Sequence, residues 1–74
     1  MAGTEAKDTR DTAEAAMDRD PAVGLRAVAA LRRLLERLEA LQVDSARSQG
    51  WSWEEIGTAL GVSRQAVHKK HARR

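Results

Sequence analysis

The 74-residue sequence has no cysteine, phenylalanine or tyrosine, and Trp51 and Trp53 are its only tryptophans. The absence of cysteine excludes disulfide bonds and thiolate metal sites. No stretch approaches the roughly 20 consecutive apolar residues that a membrane-spanning helix needs. We expect no signal peptide, because acidic residues rather than an apolar segment dominate the first 20 positions. These observations predict a cytoplasmic protein.

Residues that could carry out catalysis are also few. His68 and His71 are three positions apart, but no third ligand has a spacing that suits zinc. No serine stands in an arrangement with histidine and aspartate that indicates a nucleophile, and there is no phosphate-binding loop. Since a chain of 74 residues buries only a small core, we expect no enzyme, no metal site and no cofactor.

The apolar positions are mostly alanine, leucine and valine, and with so few aromatic residues this composition favours helices over strands. We predict an all-α fold in three parts. Residues 1–20 carry six acidic and three basic residues with little apolar bulk, which predicts a disordered acidic tail. Its simplest role is to keep the protein in solution, and the alternative is to screen the basic C-terminal surface.

Residues 21–49 form the second part, a long amphipathic helix. Asp20 can cap its start, Pro21 suits the first helical position, and Gly50 suits the position after its end. Apolar residues recur at three- and four-residue steps, which predicts one apolar face; they are Val28, Leu31, Leu34, Leu35, Leu38 and Leu41.

This helix would be roughly 40 Å long, and the chain that follows is too short to cover it. We expect coverage of its last third only, through Leu41, Ala46 and Val43. The other leucines would remain exposed, and an apolar stripe of that size usually marks an interface. We therefore predict a homodimer through the apolar face, with a different protein partner, or a fold-back of the helix with the tail, as the alternatives.

Residues 50–74 form the third part, which we read as helix, tight turn, helix. Ser52 and Glu55 have the spacing of a capping box. Gly61 follows the first helix at a position that often requires positive φ, and Ser63 can cap the second. The expected inward residues are Ile56, Ala59, Leu60, Ala66 and Val67, with Val62 filling the gap between the helices.

The segment 52–71 resembles the helix-turn-helix of bacterial DNA-binding regulators and is also similar to the DNA-reading region of sigma factors. The resemblance rests on a small residue inside the first helix, a glycine at the turn and apolar residues on both sides of it; these are Gly57, Gly61, Ile56, Leu60, Val62 and Val67. It covers about 20 of the 74 residues. Lys70 departs from the pattern, because the family commonly has an apolar residue there, so the last turn is either frayed or held by another part of the molecule.

The resemblance implies that the second short helix enters the major groove of double-stranded DNA. The residues implied to read bases are Arg64, Gln65, His68 and Lys69. Those implied to contact phosphates are Thr58, Ser63, Lys70, Arg73 and Arg74. The charge agrees, because residues 51–74 contain five basic and only two acidic residues. On this interpretation His71 faces solvent.

The leucine-rich helix supports a second hypothesis, a protein-interaction module that binds a sigma factor, RNA polymerase or another regulator. Binding of the amphipathic helix to a membrane surface is a weaker hypothesis, since its apolar face carries no aromatic residue. For Trp51 and Trp53 we favour packing between helices over stacking on single-stranded bases, because both precede the first short helix and lie far from the basic end.

Overall fold

The computed structural model describes the backbone of residues 2–72 and the side chains of residues 8–72. Within this range helices are the only regular secondary structure, which confirms the predicted all-α class. The helices are α1 (Ala2–Ala15), α2 (Pro21–Ser48), α3 (Trp53–Leu60) and α4 (Arg64–His71). No described helix combines the length and the apolar character needed to cross a bilayer.

The chain forms two compact units, Met1–Arg37 and Leu38–Arg74, which divide inside α2. The three parts predicted from the sequence, residues 1–20, 21–49 and 50–74, have their boundaries at the two ends of the long helix instead. The C-terminal unit includes the last third of α2 because Val43 of that helix packs into the same core as Ile56 and Val67. A boundary drawn where a helix ends would separate these three residues.

The prediction of a disordered tail over residues 1–20 is not confirmed, because Ala2–Ala15 forms α1. This segment contains four alanines and two glutamates, which are strong helix formers. The Thr12 hydroxyl donates to the Asp8 carbonyl at 2.8 Å, one turn earlier. The prediction gave weight to the missing apolar bulk and too little to helix propensity.

Two small residues are buried where α1 leads into α2. Gly24 is buried, and a Cβ atom there would lie 3.4 Å from the Asp18 carbonyl oxygen and 3.6 Å from that of Ala16. Ala27, one turn further along α2, is also buried. Asp20 caps α2 as predicted, because its Oδ1 accepts from the Ala22 N–H at 3.0 Å.

The core of the C-terminal unit consists of Val43, Ile56 and Val67, one residue each from α2, α3 and α4, with Ala46 and Trp53 packed against them. Each of the three is at most 3% exposed. Burying so little apolar surface stabilises the unit only modestly, about 1.5–3 kcal/mol for each side chain. The unit therefore depends on its caps and turns as well as on its core.

Several residues expected to face inward are exposed. Leu41 is 64% exposed, so the last third of α2 contacts the short helices through Val43 and Ala46 but not through Leu41. In α3 the buried pair is Ile56 and Gly57, because Gly57 approaches the next helix with its backbone. The other residues predicted to face inward in this region are exposed; they are Ala59, Leu60, Val62 and Ala66.

The turn between α3 and α4 is held by backbone hydrogen bonds. Gly61 ends α3 with φ 77°, as predicted, and Val62 N–H donates to the Gly57 carbonyl at 2.9 Å. This pairing satisfies carbonyls that the helix end leaves free. At the other end of α3 the predicted capping box is confirmed, since Ser52 Oγ accepts from Glu55 N–H and Glu55 Oε1 accepts from Ser52 N–H.

Gly57 is the point of closest approach between α3 and the turn. A Cβ atom at this position would lie 2.8 Å from the Val62 carbonyl oxygen and 3.2 Å from the Arg64 nitrogen. Both atoms belong to the backbone and cannot move aside by changing a rotamer. The geometry therefore requires glycine for space, although its backbone is ordinary α-helix.

Candidate nucleic-acid interface

Helix α4 presents a polar face to solvent. Ser63 caps the helix, and its Oγ accepts from Ala66 N–H at 3.0 Å. Val67 and His71 turn inward and are buried. The four predicted base-reading residues, Arg64, Gln65, His68 and Lys69, are all exposed. Gln65 and Lys69 lie opposite Val67, whereas Arg64 is exposed in the first turn, three positions before Val67. A short helix anchored through Val67 and His71 thus presents guanidinium, amide, imidazole and ammonium groups to solvent.

The last turn of α4 is held by Glu39 of α2. Glu39 Oε2 lies 2.7 Å from His71 Nε2 and 3.1 Å from Lys70 Nζ. The expectation that His71 faces solvent is therefore wrong. His71 is 7% exposed and occupies the inward position one turn after Val67, so Lys70 can remain at the surface.

These contacts define the charge of the Glu39 site. The hydrogen bond with His71, and then that with Lys70, lower the pKa of Glu39 below its ordinary value of 4.5. His71 Nδ1 is buried and has no hydrogen-bond partner within the described residues.

The lowered pKa of Glu39 predicts the sign of an acid effect. Since the folded state holds the ionised carboxylate, the contact contributes stability above about pH 4.5 and loses it as the pH falls through the lower folded-state pKa. We expect Glu39→Gln to reduce the free energy of unfolding at pH 7. We also expect this free energy to fall less steeply in the variant than in wild type as the pH is lowered. Urea unfolding followed by tryptophan fluorescence between pH 3 and pH 7 measures both effects.

Glu55 supplies a comparison for this prediction. The hydrogen bond from the Ser52 backbone lowers the pKa of Glu55 too, so Glu55→Gln should remove a separate part of the same decline. If Glu39→Gln and wild type show parallel pH profiles, Glu39 does not anchor α4 through its charge.

An aromatic and cationic cluster lies beside the polar face of α4. The rings of Trp53 and His68 meet edge to face, with centroids 5.3 Å apart and an interplanar angle of 88°. The guanidinium carbon of Arg47 lies 4.6 Å from the centroid of the Trp53 ring. Arg47 Nη1 also donates to the Trp51 carbonyl at 2.8 Å. His68 is thus exposed but packed against Trp53, which restricts its orientation.

The predicted phosphate-contacting residues are distributed over several elements. Thr58 is exposed on α3, Ser63 is engaged in capping α4, and Lys70 pairs with Glu39. Arg73 and Arg74 lie outside the described residues. The positive charge of Lys70 is therefore partly compensated by the Glu39 carboxylate, although its side chain remains 49% exposed.

The apolar face predicted for α2 is only partly exposed. In the N-terminal unit Leu31 and Leu34 are half-buried, and together with Thr9 and Thr12 of α1 they line a shallow cavity. Val28 and Leu35 of the same unit are 38% and 64% exposed. In the C-terminal unit Leu38 and Leu41 are 45% and 64% exposed.

Sequence reasoning missed Arg47 and Glu39 as parts of this region. Both lie on α2, far along the chain from α4, and neither falls in the segment that carries the resemblance. No short-range pattern links Glu39 to His71, 32 positions later. Comparison of the chain with protein-family models, curated proteins and solved structures yields no match. Geometry and charge therefore carry the functional argument.

Proposed function

We propose that the protein binds double-stranded DNA in a sequence-specific manner, with α3, the turn and α4 acting as a helix-turn-helix unit and α2 as the long helix before it. The observation that carries the proposal is the exposed face of α4. Arg64 and Gln65 stand directly after the Ser63 cap, at the helix end that reaches base edges in this motif. Arginine can pair with guanine and glutamine with adenine.

Anchoring of α4 supports the same proposal. A helix that reads bases must hold its side chains in register with the groove, and α4 is fixed through Val67 to the core and through His71 to Glu39. The positive charge of residues 51–74 favours approach to phosphates. Thr58, Ser63, Lys70, Arg73 and Arg74 are the proposed phosphate-contacting residues.

The proposed biological form is a homodimeric transcriptional regulator in the cytoplasm. Dimerisation through the exposed leucines of α2 would present two copies of α4 to successive major-groove faces, roughly 34 Å apart. The recognised site would then contain two half-sites. Sedimentation measurements test this assembly. We expect the wild-type protein to sediment as a dimer and the Leu35→Lys variant to sediment as a monomer.

The experiment that tests DNA binding is a fluorescence-anisotropy titration with a pool of random duplex DNA at 50 and 200 mM salt, followed by selection and sequencing. We expect binding that weakens steeply with salt and an enriched motif with two half-sites. Binding without an enriched motif would indicate an architectural protein. No binding at 50 mM salt would contradict the proposal.

A second candidate function is binding to a protein partner such as a sigma factor, RNA polymerase or another regulator. The observation that favours it is the exposure of Leu35 and Leu41, both 64%. A protein that sediments as a monomer and does not bind DNA would support this alternative, because the apolar residues of α2 would then lack a second copy to cover them.

A further inference from the structure

The proposed DNA surface of α4 continues onto α2 through one side chain. Arg47 lies in the last turn of α2, and its guanidinium is placed over the face of the Trp53 ring. The hydrogen bond from Nη1 to the Trp51 carbonyl fixes the direction in which the group points. A guanidinium has five N–H donors in a planar fork, so Arg47 can keep this bond and still donate to a second group.

Trp53 links this arginine to the exposed face of α4. The face of its ring contacts Arg47, and the same ring meets the His68 ring in a T-shaped arrangement. One indole therefore separates the guanidinium from a residue proposed to face DNA. Both Arg47 and His68 are exposed, whereas Trp53 is half-buried against the core. The indole of Trp53 is thus held by the core and packs against two exposed side chains, Arg47 and His68.

From this geometry we infer that Arg47 is a further phosphate-contacting residue and that Trp53 is the positioning residue that orients it. The inference rests on the proposed DNA binding and extends it to α2. A guanidinium that is already oriented loses less side-chain entropy when it meets a phosphate. His68, packed against Trp53, then belongs to the same supported cluster and has less freedom to follow different bases than Arg64 or Gln65.

A purely structural role for Arg47 makes different predictions. A cation in the last turn of a helix is favoured by the helix dipole, and the bond to the Trp51 carbonyl helps to close the end of α2. That role concerns stability and would leave the number of phosphates bound to DNA unchanged. The salt dependence of DNA binding separates the two roles, because its slope counts neutralised phosphates.

The test compares Arg47→Gln, Arg47→Lys and the control Arg33→Gln, in which an exposed arginine of α2 in the N-terminal unit loses the same charge. For Arg47→Gln we expect about tenfold weaker binding at 100 mM salt. The salt slope, which is the slope of log affinity against log salt concentration, should be smaller in magnitude by about one. Arg47→Lys should retain the slope but lose affinity, since lysine keeps the charge without the planar stacking. Arg33→Gln should change neither quantity by as much.

A double-mutant cycle tests the positioning role of Trp53. Trp53→Leu should raise the dissociation constant for DNA by some factor in each background. We expect this factor to be at least three times larger in the wild-type protein than in the Arg47→Gln variant. Equal losses in the two backgrounds would mean that Trp53 does not orient Arg47, which overturns its positioning role. Circular dichroism shows whether the Trp53 variant folds, and Trp53→Phe replaces it if it does not.

The outcomes separate this inference from the proposed function. If the wild-type protein does not bind DNA, both are overturned. If it binds DNA and Arg47→Gln matches Arg33→Gln in affinity and slope, DNA binding stands and the role of Arg47 is overturned. If Arg47→Gln lowers the melting temperature but leaves the salt slope unchanged, Arg47 is structural only.

Discussion

Replacing Gly57 with alanine is expected to destabilise the C-terminal unit by about 1–3 kcal/mol. Helix propensity alone predicts the opposite, because alanine is more favourable than glycine inside a helix by about 1 kcal/mol. The packing term should dominate, since the new methyl group would lie 2.8 Å from the Val62 carbonyl oxygen. The atoms in its way belong to the backbone of the turn, so relief requires moving α4 away from α3.

Gly24 provides the matched control for this prediction. It is also a helical, buried glycine, but a Cβ atom there would meet only ordinary van der Waals contacts, the nearest at 3.4 Å. Gly24→Ala should therefore leave stability unchanged or raise it by up to about 1 kcal/mol. Urea unfolding followed by circular dichroism measures both variants, and the fluorescence of Trp51 and Trp53 reports the C-terminal unit separately. A Gly57→Ala protein as stable as wild type would contradict the close approach.

Replacing Arg64 with alanine is expected to relax the preference for one base in the recognised site by about 1–3 kcal/mol, which is about five- to 150-fold in relative affinity. The reason is its position, directly after the Ser63 cap on the exposed face of α4. A guanidinium at that end of the helix can donate two hydrogen bonds to a single guanine, and alanine can donate none.

Selection and sequencing with the Arg64→Ala protein measures this loss of preference directly. Arg73→Ala is the comparison variant, since from the sequence we expect it to weaken binding to all duplexes alike. Arg33→Ala controls for the change in net charge, because this exposed arginine lies in the N-terminal unit. If Arg64→Ala and Arg73→Ala both lower affinity uniformly and leave the selected motif unchanged, Arg64 does not read a base.

Local features of the fold could be predicted from the sequence. The caps at Asp20 and Ser52 and the end of α3 at Gly61 depend on a few neighbouring residues, and the structure has them where they were expected. The same holds for the exposed positions of Gln65 and Lys69, since helical periodicity assigns them to the side opposite Val67. These features need no knowledge of distant parts of the chain.

Features that depend on contacts between helices were predicted less well. Leu41, Ala46 and Val43 were all expected to contact the short helices, but Leu41 is 64% exposed and only Val43 and Ala46 reach the core. The face that a long helix turns toward its neighbours depends on how they cross, and periodicity alone cannot choose between neighbouring apolar positions. The disordered tail predicted over residues 1–20 is not confirmed for a different reason, since helix propensity within Ala2–Ala15 outweighs its lack of apolar bulk.

The sequence by itself thus determined that this protein is helical, where most of its helices begin and end, and that a polar, basic face lies on the last of them. Only the tertiary structure decided what holds that face in place. Glu39 meets His71 across 32 positions, and Arg47 meets the indole of Trp53 from a different helix. The physical reason is that caps and periodicity act within one helix or turn, whereas these contacts form only after α2, α3 and α4 pack around the same small core.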